Sequence, residues 1–238
     1  MKKEIFLVDA DDTVLNFHGV SEKALKYAFE QSGEVWKEEY LPEFRAFNAK
    51  LWEALERKEL TRDELMDTRF CLFMKHITLP QADGKAFNRL FLDFLANNPM
   101  FMDGAQGFLQ TLKTMGRVYI VTNGTAWIQK RRFTICNLYA HADDVFVSEL
   151  IGADKPDKRY TEYVIRHIYG FEREKAVWIG DSLSADIKAA NEAGIASIWF
   201  NPAKKPVSRV ARPDYIAHDF EDALKILRNE NEKNSSNI

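Results

Sequence analysis

Short runs of apolar residues rich in Val and Ile recur along the chain, and each run ends in a polar turn. The clearest runs are residues 5–8, 118–121, 145–147, 176–179 and 196–200. Continuous apolar runs of this length are typical of strands that are buried on both faces of a parallel sheet. Because segments with helical patterns separate the runs, the sequence predicts an α/β fold with a parallel sheet at its centre.

The segment between the first two runs follows a different pattern. Residues 17–97 contain no run rich in Val and Ile, and their apolar residues recur at helical spacing. An Asn-Asn-Pro sequence at residues 97–99 is typical of a break in the chain's regular structure. The sequence therefore predicts a small helical domain, residues 17–97, inserted after the first strand. Residues 1–16 and 98–238 are expected to form the sheet domain.

Composition and charge narrow the class of function. Hydrophobic residues make up 46% of the 238 residues, an ordinary proportion for a folded domain. The 33 Lys and Arg residues are offset by 36 Asp and Glu residues, and this lack of a basic excess excludes a nucleic-acid polymer as the expected partner. The apolar run near the N-terminus is too short for a signal sequence or a membrane span. We therefore expect a cytoplasmic protein without membrane contact. The expected oligomeric state is a monomer or a homodimer.

Polar and charged residues follow the apolar runs, at the end of the sheet where parallel α/β folds bind ligands. They are, in chain order, Asp9, Asp11, Thr122, Asn123, Lys155, Asp181 and Asp186. Any one of them by itself is also explained as a turn residue, a helix cap or a solvated side chain. Four separate groups at the same end of one predicted sheet indicate a functional site instead. Carboxylates brought together repel one another unless a cation neutralises them, and oxygen ligands favour Mg²⁺.

The chemistry of these residue types suggests phosphoryl transfer. As a carboxylate nucleophile, Asp9 would form a covalent aspartyl-phosphate and divide a difficult hydrolysis into two steps. Asp11 would protonate the leaving oxygen and then activate the water that attacks the intermediate. Mg²⁺ would shield the negative charges of Asp9 and the phosphate from each other. The sequence therefore predicts a Mg²⁺-dependent phosphatase.

The other residues of the predicted site have supporting roles. Thr122, which Asn123 follows, can donate a hydrogen bond to a phosphoryl oxygen, and Lys155 can place a positive charge beside the same group. Asp181 completes the metal site. Asp186 has two candidate roles in that site, since it would either hold waters of the metal ion or orient Lys155.

Together these segments resemble the four motifs of the haloacid dehalogenase superfamily of phosphatases, and the resemblance extends over essentially the whole chain. The motifs are Asp9-Ala10-Asp11-Asp12-Thr13, Thr122-Asn123, Lys155-Pro156, and Gly180-Asp181 with Asp186. The resemblance implies a Rossmann-like sheet with a helical cap inserted after the first motif. It also implies that the main-chain carbonyl of Asp11 binds the metal ion alongside the side chains of Asp9 and Asp181.

Residues of the helical segment indicate one branch of this superfamily. Phe17, Asn48 and Arg69, together with Asp12 where many sugar-phosphate members carry Gly, look like the bacterial pyrimidine 5′-nucleotidase branch. Members of that branch dephosphorylate nucleoside monophosphates such as UMP and dUMP. The chemistry of the side chains suits such a substrate: Phe17, like Trp52, can stack on a base, Asn48 can read a pyrimidine edge, and Arg69 can meet phosphate or a ribose hydroxyl. A structural role is the alternative, with Asn48 joining two cap helices and Arg69 in an ion pair within the cap.

Other functions stay open on the sequence alone. A sugar-phosphate phosphatase or a general small-metabolite phosphatase would use the same motifs with a different cap. A dehalogenase would attack carbon with Asp9 and would need neither Asp11 nor a metal ion. A phosphomutase, or a non-catalytic phosphate-binding module, would keep the fold. In the favoured interpretation the partner is a small phosphorylated metabolite, a pyrimidine nucleoside 5′-monophosphate.

Overall fold

Among the residues that the structure describes, 2–235 of a computed structural model, six strands form one sheet. They are β1 (Ile5–Asp9), β2 (Arg117–Thr122), β3 (Asp144–Val147), β4 (Ala176–Gly180), β5 (Ala196–Phe200) and β6 (Tyr215–Ala217). Neighbouring strands are all parallel, in the order β3-β2-β1-β4-β5-β6. The prediction of an α/β fold built on a Rossmann-like parallel sheet is confirmed.

Alternate residues of the central strand β1 face opposite sides of the sheet. Phe6 and Val8 belong to the hydrophobic core on one side, and Ile5 and Leu7 belong to the core on the other. All four side chains are at most 1% exposed. Burial on both faces explains why this strand is a continuous apolar run in the sequence rather than an alternation of apolar and polar residues.

The chain extends the sheet first on one side of β1 and then on the other. β2 and β3 lie on the first side, and β4, β5 and β6 lie on the second. In open α/β sheets, ligands bind outside the carboxyl ends of the strands at such a switch point. The ends of β1 and β4, at Asp9 and Gly180, therefore mark the expected position of a site.

Residues Phe17–Pro99 form a compact unit of their own. Its helices are α1 (Phe17–Ser32), α2 (Tyr40–Glu56), α3 (Arg62–His76) and α4 (Gly84–Asn97). Aromatic rings fill its interior: Phe44 stacks on Phe70 with centroids 5.2 Å apart, and Phe29 meets Phe87 edge-on at 4.9 Å. The helical spacing of apolar residues in this segment thus reflects a core of the unit itself.

The remaining described residues form the second unit, which contains the sheet. Its α-helices are α5 (Ala105–Met115), α6 (Ala126–Ile135), α7 (Ser148–Ile151), α8 (Lys158–His167), α9 (Lys188–Ala193) and α10 (Phe220–Ser235). After Asp181 the chain forms a π-helical turn, Leu183–Ile187, and continues as α9. It ends at Gly194, whose left-handed φ of 65° is the usual glycine stop signal. In residues 2–235, no helix combines the length and the apolar character that crossing a membrane requires.

Candidate active site

The carboxylate of Asp9 lies at the carboxyl end of β1 and is buried. Lys155 donates a hydrogen bond of 2.6 Å to its Oδ1, and the Thr13 hydroxyl donates one of 3.0 Å to its Oδ2. Burial raises the pKa of Asp9 to about 7; Lys155 opposes this shift, whereas Asp186 and Asp11 add to it. Two donors therefore hold the predicted nucleophile in one orientation.

The ammonium group of Lys155 is buried between two carboxylates. It donates to Asp9 Oδ1 at 2.6 Å, to Asp186 Oδ1 at 2.7 Å, and to the main-chain oxygen of Val121 at 3.0 Å. These bonds use all three of its N–H groups. Burial lowers the pKa of Lys155, but Asp186 and Asp9 together raise it above its usual value. The lysine therefore stays protonated and places its charge directly on the predicted nucleophile.

Asp186 is buried behind Lys155, and both of its carboxylate oxygens accept hydrogen bonds. Besides Lys155, Trp178 donates to Oδ1 through its indole N–H at 3.2 Å, and the main-chain N–H of Ser182 donates to Oδ2 at 3.2 Å. A side chain on Gly180 would collide with this carboxylate, so the end of β4 must be glycine. These contacts support a role for Asp186 in orienting Lys155. Its part in metal binding stays a prediction.

Thr13 joins the loops that follow β1 and β4, a role that the sequence does not predict. Its hydroxyl donates to Asp9 Oδ2 and accepts a 3.1 Å hydrogen bond from the main-chain N–H of Asp181. The side chain is completely buried. The available signal was its place in the first motif, four residues after Asp9, where one turn of chain brings the hydroxyl back to the carboxylate.

Three carboxylates converge at this end of the sheet. Within residues 2–235, one oxygen each of Asp9, Asp181 and Asp186 lie within 4.8 Å of one another. Burial raises the pKa of Asp181 well above its usual value, and Asp9, Asp12 and Asp186 raise it further. A divalent cation would neutralise this cluster, and a donor set made only of oxygen suits Mg²⁺. The residues present therefore fit the predicted metal ion.

The second carboxylate of the first motif, Asp11, is held by two side chains of α6. Arg132 Nη1 donates to its Oδ1 at 2.6 Å, and Gln129 Nε2 donates to its Oδ2 at 2.8 Å. Both α6 side chains are at most 1% exposed. Neither was predicted, because a Gln and an Arg three residues apart on a helix usually belong to a solvated face. Their one signal in the sequence is that they follow the second motif directly.

Thr122 ends β2, and Asn123 follows it. The Thr122 hydroxyl accepts hydrogen bonds from the main-chain N–H of Gly124 at 3.0 Å and from Gln129 Nε2 at 2.9 Å. Asn123 exchanges two hydrogen bonds with the main chain of Lys155, donating to its oxygen at 2.9 Å and accepting from its N–H at 2.8 Å. Asn123 therefore ties the loop that carries Lys155 to the end of β2.

The predicted substrate-binding residues lie in the helical unit. Asn48 and Arg69 are buried there, and Arg69 donates to Asn48 at 3.3 Å and to Asn88 at 2.8 Å. Burial lowers the pKa of Arg69 to about 10. In the described part of the chain, the hydrogen-bond partners of Arg69 are amides. The ion pair that was the alternative, structural role of Arg69 is therefore not formed. Phe17 is half-buried at the start of α1, and contact of these residues with substrate stays a prediction.

Comparison with known proteins agrees with the four motifs. A family model for haloacid dehalogenase-like hydrolases matches residues 3–194. YfnB of Bacillus subtilis (strain 168), described as a HAD-hydrolase, is 36% identical over 225 residues, which cover 94% of this chain and 95% of YfnB. PynA of Streptococcus pneumoniae, a pyrimidine 5′-nucleotidase, is 33% identical over 229 residues, 94% of each chain. YjjG of Escherichia coli, also a pyrimidine 5′-nucleotidase, is 25% identical over 227 residues, 95% of this chain and 99% of YjjG.

The fold agrees with a crystal structure of YfnB from Bacillus subtilis bound to magnesium. The two structures superpose with a TM-score of 0.89 at 34% sequence identity. The superposition covers 95% of this chain and 99% of the YfnB chain. At that coverage, the similarity includes the helical segment as well as the sheet.

Proposed function

Because the chain belongs to the haloacid dehalogenase-like hydrolases, we propose that it is a Mg²⁺-dependent phosphatase that acts through an aspartyl-phosphate on Asp9. Its proposed substrates are nucleoside 5′-monophosphates, with pyrimidine nucleotides preferred. The observation that carries the proposal is the environment of Asp9, a buried carboxylate at the switch point of the sheet with Lys155 on one oxygen and Thr13 on the other. A group oriented in this way can attack with little further reorganisation.

In the first step, an oxygen of Asp9 attacks the phosphorus atom, and the bond between phosphorus and the ester oxygen breaks. Asp11 gives a proton to the leaving oxygen, so that the nucleoside departs as a neutral alcohol. Thr122 donates to a phosphoryl oxygen, and Lys155 keeps a positive charge beside the transferred group. The product of this step is an acyl phosphate on Asp9.

In the second step, water attacks the phosphorus atom of the acyl phosphate, and Asp11 accepts a proton from that water. The bond between phosphorus and the Asp9 oxygen then breaks, which releases inorganic phosphate and restores the carboxylate. Asp11 thereby recovers the proton that it gave to the leaving group in the first step. The enzyme returns to its starting state without another proton donor or acceptor.

Asp9 and Asp181 are the proposed side-chain ligands of Mg²⁺, together with the main-chain carbonyl of Asp11 that the family resemblance implies. Once bound, the ion would reduce the repulsion between the attacking carboxylate and the phosphate. Asp186, whose Oδ1 contacts the Lys155 ammonium at 2.7 Å, is proposed to orient that lysine and to hold waters of the ion.

The proposed substrate class rests on the relatives and on the helical segment. PynA and YjjG are named as pyrimidine 5′-nucleotidases, and each aligns with at least 94% of this chain. We propose that residues 17–97 are a cap domain that selects the substrate. Residues 1–16 and 98–238 are then the catalytic core, which carries the motifs that hold the phosphate and do the chemistry.

Within the cap, Phe17, Asn48 and Arg69 are the proposed substrate-facing residues. Arg69 donates to amide oxygens and lies over the rings of Phe70 and Phe91, so it has no carboxylate partner among the described residues and is proposed to meet a polar group of the substrate. Asn48 shares that hydrogen-bond network and has an amide that can both donate to and accept from a pyrimidine edge. Phe17 offers a ring face on which a base can stack.

Phosphate release from a panel of monophosphates, with Mg²⁺ present, tests the proposal. The panel consists of UMP, dUMP, dTMP, CMP, AMP, GMP, glucose 6-phosphate and phosphoglycolate, with p-nitrophenyl phosphate as a generic ester. We expect kcat/KM to be at least about tenfold higher for pyrimidine nucleotides than for the others. Preference for a sugar phosphate or for phosphoglycolate would keep the mechanism and reject the proposed role of the cap residues. No release from any ester would reject the phosphatase.

A further inference from the structure

Gln129 connects two residues of the proposed mechanism. Its two amide N–H groups donate to Asp11 Oδ2 at 2.8 Å and to the Thr122 hydroxyl at 2.9 Å, while its Oε1 accepts from Arg132 Nη1 at 2.7 Å. All the hydrogen-bonding groups of this completely buried amide are therefore used. Turning the amide over would set its oxygen against the Asp11 carboxylate and its NH₂ group against the Arg132 Nη1 donor, so the network allows only one orientation.

The contacts of Thr122 determine what its hydroxyl can still do. A hydroxyl has two acceptor positions and one O–H donor, and here the acceptor positions are taken by Gly124 N–H and Gln129 Nε2. Only the O–H donor of Thr122 is then left. A phosphoryl oxygen is an acceptor and requires such a donor. A side chain on Gly124 would collide with that of Gln129, so this close approach needs glycine in the turn.

Arg132 is a buried cation that the proposed mechanism does not use. Its Nη1 donates to Asp11 Oδ1 at 2.6 Å and to Gln129 Oε1 at 2.7 Å. Its Nε and Nη2 are buried and make no hydrogen bond within the described residues 2–235. A buried guanidinium with unsatisfied donors is unfavourable for stability, and such groups in native proteins often serve function. The contact with Asp11, itself 27% exposed at its side chain, is the one that reaches the site.

We propose that Gln129 and Arg132 are positioning residues for the acid–base group of this enzyme, an inference that rests on the proposed function. Arg132 and Gln129 hold one oxygen each of the Asp11 carboxylate, which fixes the direction of the group that must meet the leaving oxygen. Gln129 also makes the Thr122 hydroxyl a donor toward the phosphoryl group. One helix, α6, thereby aligns the proton-transfer group with the phosphate-binding group.

A merely structural role for this network would have a different signature. Loss of a structural contact lowers activity on every substrate equally, because less of the protein is correctly folded. Loss of Asp11 alignment affects only the step in which a proton is needed. A nucleoside leaves as a strongly basic alkoxide that needs this proton, whereas p-nitrophenolate is a weak base and leaves without it. The ratio of the two kcat/KM values therefore reports the alignment of Asp11, since kcat/KM includes only the steps up to the release of the leaving group.

The experiment compares Arg132→Met, Arg132→Lys and Gln129→Met with the wild-type enzyme, using a nucleoside 5′-monophosphate and p-nitrophenyl phosphate. Arg132→Met is expected to lower kcat/KM for the nucleotide about tenfold to a hundredfold and that for p-nitrophenyl phosphate less than about threefold. Arg132→Lys keeps a charged donor and should recover part of the loss. Gln129→Met should lower both values, because Thr122 acts on both esters, and the nucleotide value more.

Two reference variants complete the design. Arg131→Met makes the same change at the exposed neighbouring arginine and should leave both kcat/KM values within about twofold. Asp11→Asn should reproduce the selective loss on the nucleotide, and adding Arg132→Met to it should cause no further selective loss, because the two residues act as one unit. If Arg132→Met does not fold, Arg132→Lys and Gln129→Met give the same ratio test.

The outcomes separate this inference from the proposed function. An unchanged ratio of the two kcat/KM values in the Arg132 and Gln129 variants, alongside a selective loss in Asp11→Asn, would overturn the positioning role alone. Equal losses on both substrates with a lower unfolding temperature would also overturn it, in favour of a structural role. A wild-type enzyme that hydrolyses neither ester, or an Asp11→Asn variant with full nucleotide activity, would overturn the proposed mechanism and this inference with it.

Discussion

Lys155 is a buried cation, and two of its three N–H groups donate to the carboxylates of Asp9 and Asp186. Removing one partner of a buried ion pair is strongly destabilising, because the other charge is left without compensation. Substitutions that keep an acceptor oxygen at the same place reduce this effect. They can therefore separate the chemistry of Asp9 from its part in holding the site together.

Asp9→Asn is expected to lower turnover by at least about 10³-fold, because an amide cannot replace a carboxylate nucleophile. The Asn side chain keeps an oxygen that can accept from Lys155, so we expect the fold to be preserved. The measurement is kcat for a nucleoside monophosphate with Mg²⁺, together with the unfolding temperature of the variant.

Asp144 provides the matched control for this change, since it is exposed at the start of β3, at the opposite end of the strands. Asp144→Asn makes the same chemical change in the same unit and should leave turnover within about twofold of wild type. Wild-type turnover in Asp9→Asn would remove Asp9 as the nucleophile and, with it, the aspartyl-phosphate.

The geometry of the site also depends on the hydroxyl of Thr13. Thr13→Val keeps its shape but removes the hydrogen bonds to Asp9 Oδ2 and from the Asp181 N–H. We expect a loss of about 1–3 kcal/mol in the free energy of unfolding, since the partly buried Asp181 N–H loses its acceptor, and a lower kcat. Urea unfolding and steady-state kinetics measure the two effects.

Thr13→Ser is the control for this prediction, because it keeps the hydroxyl and removes only a methyl group. It should retain most of the activity that Thr13→Val loses. If Thr13→Val keeps the activity of Thr13→Ser, the hydrogen bond from the Thr13 hydroxyl to Asp9 is not needed for catalysis.

The grouping of residues at the ends of the strands could be predicted, because a parallel sheet brings the carboxyl ends of its strands together whatever its loops do. The positions at the ends of the apolar runs were enough to predict one site for Asp9, Thr122 and Asp181. These residues span more than a hundred residues of the sequence. Lys155 lies eight residues beyond the end of β3, and its motif, rather than the strand pattern, indicated its place in the group.

The side chains of α6 could not be predicted in the same way, because the helical pattern does not report burial. Arg131 and Arg132 are adjacent and chemically identical, yet the first is exposed and the second is 1% exposed and bonded to Asp11. The difference comes from the direction in which α6 leaves the turn after β2, and that direction is a property of the tertiary structure. The π-helical turn Leu183–Ile187, which carries Asp186, was not predicted either.

The junction between β4 and this π-helical turn has no room for a side chain on Gly180. In Gly180→Ala, the new Cβ atom would collide with the carboxylate of Asp186, which cannot move without leaving Lys155. We expect a loss of several kcal/mol in the free energy of unfolding and a large fall in kcat, as for overpacking beside a buried charge. Chemical unfolding and kinetics on the same preparation measure both.

Gly107→Ala is the matched control, because a Cβ atom at this exposed position in α5 would meet nothing within 4 Å. Since alanine favours the helix over glycine, it should raise the free energy of unfolding by about 0.5–1 kcal/mol and leave kcat unchanged. Full activity in Gly180→Ala would mean that Asp186 can move freely, which would contradict its role in orienting Lys155.

Over the whole molecule, the family match confirms the prediction of a hydrolase rather than a non-catalytic binding module. The chain's net charge of −3 gives no sign of the site, where three carboxylate oxygens lie within 4.8 Å of one another. Such a concentration of negative charge opposes folding unless protons or a cation neutralise it. The stability of the whole molecule should therefore depend on what neutralises this one site.

Without a cation, bound protons reduce the repulsion. Burial raises the pKa of Asp9 to about 7 and raises the pKa of Asp181 as well. Both carboxyls thus bind protons more tightly in the folded chain than in the unfolded chain, where the pKa is about 4. The stabilising contribution of the Asp9 proton is complete below that value and is lost as the pH rises from about 4 through about 7, and that of the Asp181 proton is likewise lost as the pH rises above about 4. In a chelating buffer, this site therefore destabilises the protein more at neutral pH than at acidic pH.

Mg²⁺ is expected to reverse that loss, which gives a test of the metal site without any substrate. At a concentration about a hundred times its Kd, it should raise the unfolding temperature at pH 7.5 by on the order of 5–10 °C. The rise should be smaller at pH 5, because protons then compete for the same carboxylates. Asp181→Asn should abolish the rise, whereas Asp144→Asn should keep it. An equal rise in the wild type and in Asp181→Asn would place the ion elsewhere and leave the cluster of Asp9, Asp181 and Asp186 without its proposed role.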